Sequence, residues 1–166
     1  DRGAAKRAKG DYQGAIYDFR LAVVYDPNLI SGFLNMGDAK KQIGDYQSAE
    51  RDYSDALKID STSIAALNNR GGTRYILGNL EGAFEDFSKA LTYNPNSLEI
   101  LTNLGSIEQL KGNYDGAIDW FNQALTISDK YAPAILNRGL TYELQGKVDE
   151  ACTDWKIASE LGMEQA

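Results

Sequence analysis

Histidine is absent from this chain of 166 residues, and cysteine occurs once, as Cys152. Histidine is the commonest general acid–base group and the commonest metal ligand in proteins, so its absence removes both chemistries in their usual form. A thiol without an imidazole also excludes a Cys–His nucleophile, and a single thiol can form no internal disulfide. We therefore predict that the chain is not an enzyme and has no cofactor and no metal site. One cysteine agrees with a reducing compartment and slightly favours the cytoplasm.

Long apolar runs and an excess of positive charge are also missing. No stretch approaches the roughly 18 consecutive apolar residues of a membrane span, so we predict no membrane span. The net charge is −7, which repels phosphate backbones and argues against a nucleic-acid partner. The charge is uneven, because residues 1–83 carry 11 Lys/Arg and 11 Asp/Glu whereas residues 84–166 carry 6 and 13. An acidic surface also favours solubility, which is the simpler interpretation.

Small residues, in contrast, recur at one fixed spacing, the interval that separates Gly3 from Gly37. Two glycine sets, two alanine sets and one aromatic set each occur five times. The sets are Gly3, Gly37, Gly71, Gly105 and Gly139; Gly10, Gly44, Gly78, Gly112 and Gly146; Ala15, Ala49, Ala83, Ala117 and Ala151; Ala22, Ala56, Ala90, Ala124 and Ala158; and Phe19, Tyr53, Phe87, Phe121 and Trp155. Five copies of five markers indicate an internal repeat of one supersecondary unit.

Each unit is predicted to be a helix–turn–helix. Phe33, Met36 and Gly37 share one helical face within residues 30–43, and Gly44 then breaks the pattern. A second helix is predicted over about residues 47–59. A glycine inside a helix costs roughly 0.5–1 kcal/mol relative to alanine, so we expect the mid-helix glycines to allow close approach of the partner helix. The aromatic set should fill the space between hairpins and be mostly buried.

This pattern resembles the tetratricopeptide repeat. In the third unit it consists of Leu67, Gly71, Gly78, Ala83, Phe87, Ala90 and Pro95. The resemblance implies an all-α fold, a right-handed superhelical solenoid of five helix–turn–helix hairpins with the first helices on its concave side. The units span about 1–29, 30–63, 64–97, 98–131 and 132–163, and we expect residues 1–166 to be a single array and a fragment of a longer chain. Arg70 and Arg138 stand where the family usually has leucine, and Ser61, Asp129 and Met163 stand where it usually has proline.

Four asparagines share the same spacing: Asn35, Asn69, Asn103 and Asn137. Each precedes the mid-helix glycine by two residues, so its side chain is predicted to point into the concave groove. An asparagine amide can pair with both polar groups of a peptide unit. The row is similar to the asparagine ladder in the repeat domain of O-linked N-acetylglucosamine transferases, which grips substrate polypeptides. The alternative is that each asparagine braces the adjacent repeat.

Other side chains at neighbouring positions of the first helices are predicted to line the same peptide-binding groove. They are Leu34, Asp38, Lys41, Asn68, Tyr75, Thr102, Gln109, Leu136, Leu140 and Glu143. Within this set, the position of Lys41 becomes Tyr75, Gln109 and Glu143 in later units, a change from basic to acidic. That gradient would orient a ligand with its basic end toward the last units; scattered solvated charge is the alternative.

The carboxylate clamp of chaperone-docking family members is not expected. The resemblance puts its lysines at two sets of positions, and none of these residues is basic. The residues are Leu34, Asn68, Thr102 and Leu136, and Ser31, Ala65, Glu99 and Pro133. On the second helices, Trp120 stands where other units carry Asp18, Asp52, Asp86 and Asp154. We expect this position to be exposed, which makes Trp120 a candidate contact for a second partner.

Two functions fit these observations. The first is a scaffold or adaptor that binds an extended peptide segment of a partner protein in the groove. The second is a rigid structural or substrate-holding module within a larger assembly, or within an enzyme whose catalytic part lies outside this chain. Self-association through a terminal helix is a third alternative. A protein or peptide is the expected partner in each case.

Overall fold

The structure, a computed structural model, describes residues 2–162. These residues form ten α-helices and no strand. Residue 1 and residues 163–166 lie outside this range. The predicted end of the fifth repeat, at Met163, therefore lies outside the described residues. The chain divides into two compact units, Asp1–Tyr93 and Asn94–Ala166. The all-α class and the helical-hairpin repeat that the sequence predicted are confirmed.

The first unit contains three hairpins, and in each of them the first helix packs against the second helix that follows it. Its helices are α1 (Arg2–Ala8), α2 (Tyr12–Tyr25), α3 (Ile30–Gln42), α4 (Tyr46–Ile59), α5 (Ile64–Ile76) and α6 (Leu80–Tyr93). Neighbouring hairpins pack through α2 on α3 and α4 on α5, and the first helices α3 and α5 also touch. The first helices α1, α3 and α5 therefore present their outward side chains on one surface of this unit.

The second unit contains two hairpins of the same kind. Its helices are α7 (Leu98–Leu110), α8 (Tyr114–Ile127), α9 (Ala132–Leu144) and α10 (Val148–Glu160). Helix α8 packs on α9, and the first helices α7 and α9 touch each other. We use "first-helix face" for the outward side chains of α1, α3 and α5 in the first unit and of α7 and α9 in the second unit.

Every hairpin turns at a glycine whose φ is positive. These are Gly10 (φ 80°), Gly44 (79°), Gly78 (79°), Gly112 (77°) and Gly146 (76°). A Cβ strains this left-handed conformation, whereas glycine adopts it freely. After α3, the Gly44 amide donates to the Lys41 carbonyl at 3.1 Å and the Asp45 amide donates to the Lys40 carbonyl at 2.9 Å. These two bonds form a Schellman motif, which satisfies carbonyls that the end of α3 would leave without partners.

The mid-helix glycines make room for the aromatic side chains of the second helices. A Cβ on Gly37 would lie 2.5 Å from Cε1 of Tyr53, and a Cβ on Gly105 would lie 2.5 Å from Cε1 of Phe121. Phe19, Tyr53, Phe87 and Phe121 are at most 2% exposed, as predicted. Trp155 is only half-buried. It belongs to the last hairpin, on which no further helix of residues 2–162 packs.

The aspartate position of the second helices is buried, so the prediction that it is exposed is wrong. Asp52, Asp86 and Asp154 are 7%, 3% and 3% exposed. A buried carboxylate is tolerated only when a cation and hydrogen bonds compensate its lost hydration, and each of these carboxylates pairs with a cation of the preceding first helix. Trp120, which takes this position in the fourth repeat, is half-buried rather than exposed.

These ion pairs also explain why arginine stands where leucine is usual. Arg70 donates from Nε and Nη2 to both carboxylate oxygens of Asp86, at 2.8 and 2.6 Å. Arg138 makes the same fork with Asp154, at 2.8 and 2.7 Å. The planar guanidinium matches a carboxylate with two parallel bonds, which a single ammonium cannot do. Each arginine therefore fastens the two helices of its own hairpin together.

Candidate peptide-binding face

Asp38 is the centre of a polar cluster on the first-helix face of the first unit. Its Oδ1 accepts hydrogen bonds from the Tyr53 hydroxyl at 2.7 Å and from the Asn69 amide at 3.1 Å. Its Oδ2 lies 3.4 Å from Nη1 of Arg7. Burial and then the hydrogen bond to Asp38 raise the pKa of the Tyr53 hydroxyl well above its usual range, so this group remains a donor. Asp38 thus connects all three hairpins of the unit.

The second unit repeats this connection with neutral groups. The Asn137 amide lies 3.5 Å from Oγ of Ser106, which occupies the position equivalent to Asp38 two repeats later. The Gln109 amide donates to Oγ1 of Thr141 at 3.0 Å, and Thr141 is fully buried. The side-chain amides of Asn137 and Gln109 therefore each donate a hydrogen bond between the two hairpins of this unit.

The four predicted ladder asparagines fall into two classes. Asn69 and Asn137 brace neighbouring hairpins, as described above. The side chains of Asn35 and Asn103 make no hydrogen bond to any residue within 2–162. For Asn35 the reason lies in the preceding hairpin of the same unit, where Ala4 offers no polar side chain at the position equivalent to Asp38. All four asparagines are half-buried, and Asn35 and Asn103 keep their full amide capacity for a ligand.

The other predicted groove residues differ widely in exposure. Thr102 is 6% exposed and donates to the Leu98 carbonyl of its own helix at 2.8 Å, so its hydroxyl is already occupied. Leu140 is 42% exposed and Glu143 is exposed. The half-buried members of the set are Leu34, Asp38, Lys41, Asn68, Tyr75, Gln109 and Leu136. Partial burial of this kind leaves part of each side chain accessible.

A cleft of about 620 Å³ opens on the first-helix face of the first unit. It is lined by Ala4, Arg7, Ala8, Tyr12, Asp38, Lys41 and Gln42. Its volume falls within the roughly 300–1,000 Å³ that is usual for ligand sites. Asp38 and Lys41 were predicted from the sequence, whereas Arg7 was not, although Arg7 precedes Lys41 by one repeat length. That spacing was the signal that could have found it.

Helix length and polarity bear on the membrane prediction. Within residues 2–162, every helix is too short or too polar to cross a bilayer.

Comparisons with known proteins agree with the hairpin architecture. Sequence profiles of the tetratricopeptide repeat match residues 30–63 and residues 62–130. The crystal structure of MamA superposes with a TM-score of 0.90 at 28% identity, over 98% of this chain and 95% of that chain. A tetratricopeptide repeat protein from Parabacteroides merdae ATCC 43184 gives a TM-score of 0.90 at 25% identity, over 98% of this chain and 65% of that one. No curated protein sequence matches the chain.

A further structural neighbour is YrrB, described as a TPR protein with an unusual peptide-binding site. Its TM-score is 0.81 at 18% identity, over 96% of this chain and 82% of that chain. Identity at this level shows a common fold only.

Repeated helical hairpins with a polar face on their first helices define the class of this protein, a protein–protein interaction module. Proteins with this fold are generally non-catalytic scaffolds. The tetratricopeptide profiles together match residues 30–130, and the hairpin structure extends through residues 2–162. The chain belongs to the tetratricopeptide repeat family.

Proposed function

We propose that the chain is an interaction scaffold that binds an extended peptide segment of a partner protein along its first-helix face. The observation that carries this proposal is the pair Asn35 and Asn103, half-buried amides with no hydrogen bond to residues 2–162. A polar group that is partly removed from water and lacks a protein partner is suited to a ligand's backbone groups. The printed description of YrrB, a repeat protein with a peptide-binding site, supports the same class of ligand.

The two asparagine classes provide a matched test of this function. Purified chain is used to select peptides from a displayed random library, and the enriched peptides are measured by fluorescence anisotropy. We expect the double variant Asn35→Ala/Asn103→Ala to weaken binding about tenfold or more with unchanged unfolding, since each amide–backbone bond contributes about 0.5–1.5 kcal/mol. The control Asn69→Ala/Asn137→Ala should lower stability, because its amides brace hairpins.

Equal affinities for the wild type and Asn35→Ala/Asn103→Ala would count against a role for these amides. If the selection enriches no peptide that, free in solution, competes with the displayed peptides for the chain, this would count against peptide binding as a whole.

A rigid structural or substrate-holding module is the second candidate, and a specific observation favours it. Asp38 joins Arg7, Tyr53 and Asn69 from three hairpins, which stiffens the first unit without any ligand. The two candidates differ in what the face must do. A structural module requires the Asp38 cluster and tolerates loss of Asn35, whereas a peptide-binding scaffold requires both.

A further inference from the structure

The cleft of the first unit carries two cations at equivalent positions of consecutive hairpins. Arg7 of α1 and Lys41 of α3 both line it and are separated by one repeat length. Lys41 lies six residues after Asn35, and Arg7 is its equivalent one repeat earlier. These are not the positions at which a carboxylate clamp would carry its lysines. The axes of packed helices lie about 8–10 Å apart, and we take this as the order of magnitude of one repeat step.

Both cations retain capacity for a ligand. Lys41 forms no ion pair with any residue within 2–162. Arg7 makes a single contact of 3.4 Å with Oδ2 of Asp38, and its side chain is 36% exposed. The guanidinium has five N–H donors, so most of them remain available. Asp38 also lines the cleft, and its other oxygen accepts hydrogen bonds from the neutral Tyr53 hydroxyl and Asn69 amide.

We propose that this cleft binds acidic side chains of an extended peptide, with one carboxylate on Arg7 and a second on Lys41. The proposal rests on the proposed function and specifies the chemistry of the partner at this part of the face. Charge complementarity supports it, because the residues that line the cleft include two cations, Arg7 and Lys41, and one carboxylate, Asp38. A carboxylate offers each cation a charge-assisted hydrogen bond.

The repeat step that separates the two cations gives an expected spacing for the acidic residues of the peptide. An extended chain of polyproline II type rises about 3.1 Å per residue and has three residues per turn. Residues three apart therefore point to the same side and lie roughly 9 Å apart, close to one repeat step. The cleft should thus prefer two acidic residues separated by two others.

We expect the cleft to bind acidic side chains of an internal peptide segment in preference to a free terminal carboxylate. The face continues in the same unit beyond Lys41 to Tyr75, the equivalent position on α5. A chain that passes through the cleft can follow this continuation, whereas a chain that ends there offers one terminal carboxylate for two cations.

The test uses three fluorescein-labelled peptides in a proline-rich frame and measures anisotropy. The first has two glutamates separated by two residues and an amidated C-terminus, the second has glutamines in their place, and the third has glutamines with a free C-terminal carboxylate. The protein variants are Lys41→Gln and Arg7→Gln/Lys41→Gln. A charge-matched control, Lys58→Gln/Lys89→Gln, removes two cations that line a different cleft, formed by residues of α4, α5 and α6 and the α4–α5 loop.

We expect the wild type to bind the glutamate peptide about tenfold or more tightly than the glutamine peptide. Lys41→Gln should reduce that preference, the double variant should abolish it, and the lysine control should retain it. Of the two amidated peptides, only the glutamate peptide should bind more weakly when the salt concentration is raised, because screening acts on the ion pairs. Thermal unfolding of each variant identifies any loss that comes from unfolding, and Lys41→Gln breaks no ion pair within residues 2–162.

Three results would overturn the inference. The first is equal binding of the glutamate and glutamine peptides, the second is an equal loss in the lysine control, and the third is preferential binding of the free carboxylate. If both amidated peptides bind equally and Asn35→Ala/Asn103→Ala weakens both, the acidic preference fails while peptide binding stands. If neither peptide binds and no selected peptide competes in solution, the proposed function fails as well.

Discussion

The packing of Gly37 against Tyr53 allows a prediction in which a substitution that favours helix formation destabilises the protein. Replacing a glycine inside a helix by alanine ordinarily gains roughly 0.5–1 kcal/mol. At Gly37 the new Cβ would lie 2.5 Å from Cε1 and 2.7 Å from Cζ of Tyr53. Carbon atoms prefer a separation of about 3.5–4.0 Å, so the two side chains would overlap by roughly 1 Å.

The Tyr53 ring cannot easily move away from this overlap. It is 0% exposed, and its hydroxyl donates to Asp38 at 2.7 Å. Overpacking a closed site costs about 1–3 kcal/mol. After the gain in helix propensity, we expect Gly37→Ala to lower the free energy of unfolding by about 0.5–2 kcal/mol.

Gly72→Ala is the matched control, because a Cβ at Gly72 meets no atom within 4 Å in the middle of α5. This variant should be stabilised by roughly 0.5–1 kcal/mol. Urea unfolding followed by far-ultraviolet circular dichroism measures both, and an unchanged denaturant slope identifies a change in stability. If Gly37→Ala raises stability as much as Gly72→Ala does, the steric explanation for the mid-helix glycines is wrong.

Four other changes test the core and its ion pairs. Phe87 is 1% exposed, so Phe87→Ala should cost about 3–5 kcal/mol in urea unfolding, and a cost below about 1 kcal/mol would contradict its burial. Hydrogen bonding from Arg2 lowers the pKa of Asp18, so Asp18→Asn should lose stability relative to wild type above the ordinary aspartate pKa, an effect that vanishes as pH falls through the lowered pKa. Burial outweighs Lys40 and raises the pKa of Asp52, so Asp52→Asn should gain stability relative to wild type as pH rises through that raised pKa. Thermal unfolding between acidic and neutral pH measures both aspartate variants, and a difference from wild type that stays constant or changes in the opposite direction with pH would contradict the prediction. Arg138→Leu should cost up to about 3–5 kcal/mol because it leaves Asp154 buried without a cation, and equal stability of wild type and variant would show that the pair contributes nothing.

Much of the fold could be predicted because the repeat itself carries the information. A residue kept at one position through five copies faces the same environment five times, so Gly37 and Tyr53 could be assigned to a packed interface from spacing alone. The turn glycines were predictable for the same reason, since a positive φ is adopted freely by few residues other than glycine. Helix ends at Gly44 and Asp45 then follow from local hydrogen bonds.

The aspartate position was mispredicted because aspartate is almost never fully buried unless it is paired. Asp86 and Asp154 each follow another polar residue, and nothing in their own segments reveals burial. The signal was non-local, an arginine on the preceding helix in both cases. Burial of a charge depends on a partner from another helix, so a pattern read along one helix cannot reveal it.

The equivalence of the four asparagines could be predicted from the sequence, but their hydrogen-bond partners could not. The repeat spacing correctly grouped Asn35, Asn69, Asn103 and Asn137 as equivalent positions. It could not distinguish them, because the group that occupies an asparagine amide comes from the preceding hairpin.

The sequence by itself determined the repeat length, the helical hairpin and the turn of every unit, because these depend on local propensity and on periodicity that one chain displays in full. Only the tertiary structure decided which of the equivalent amides are occupied by a neighbouring side chain. The Asn69 amide donates to Asp38 of the preceding hairpin, whereas Asn35 has Ala4 at the equivalent position and no hydrogen-bond partner within residues 2–162. A hydrogen bond needs two groups within about 3 Å of each other, and only the packing of one hairpin on the next brings those groups together.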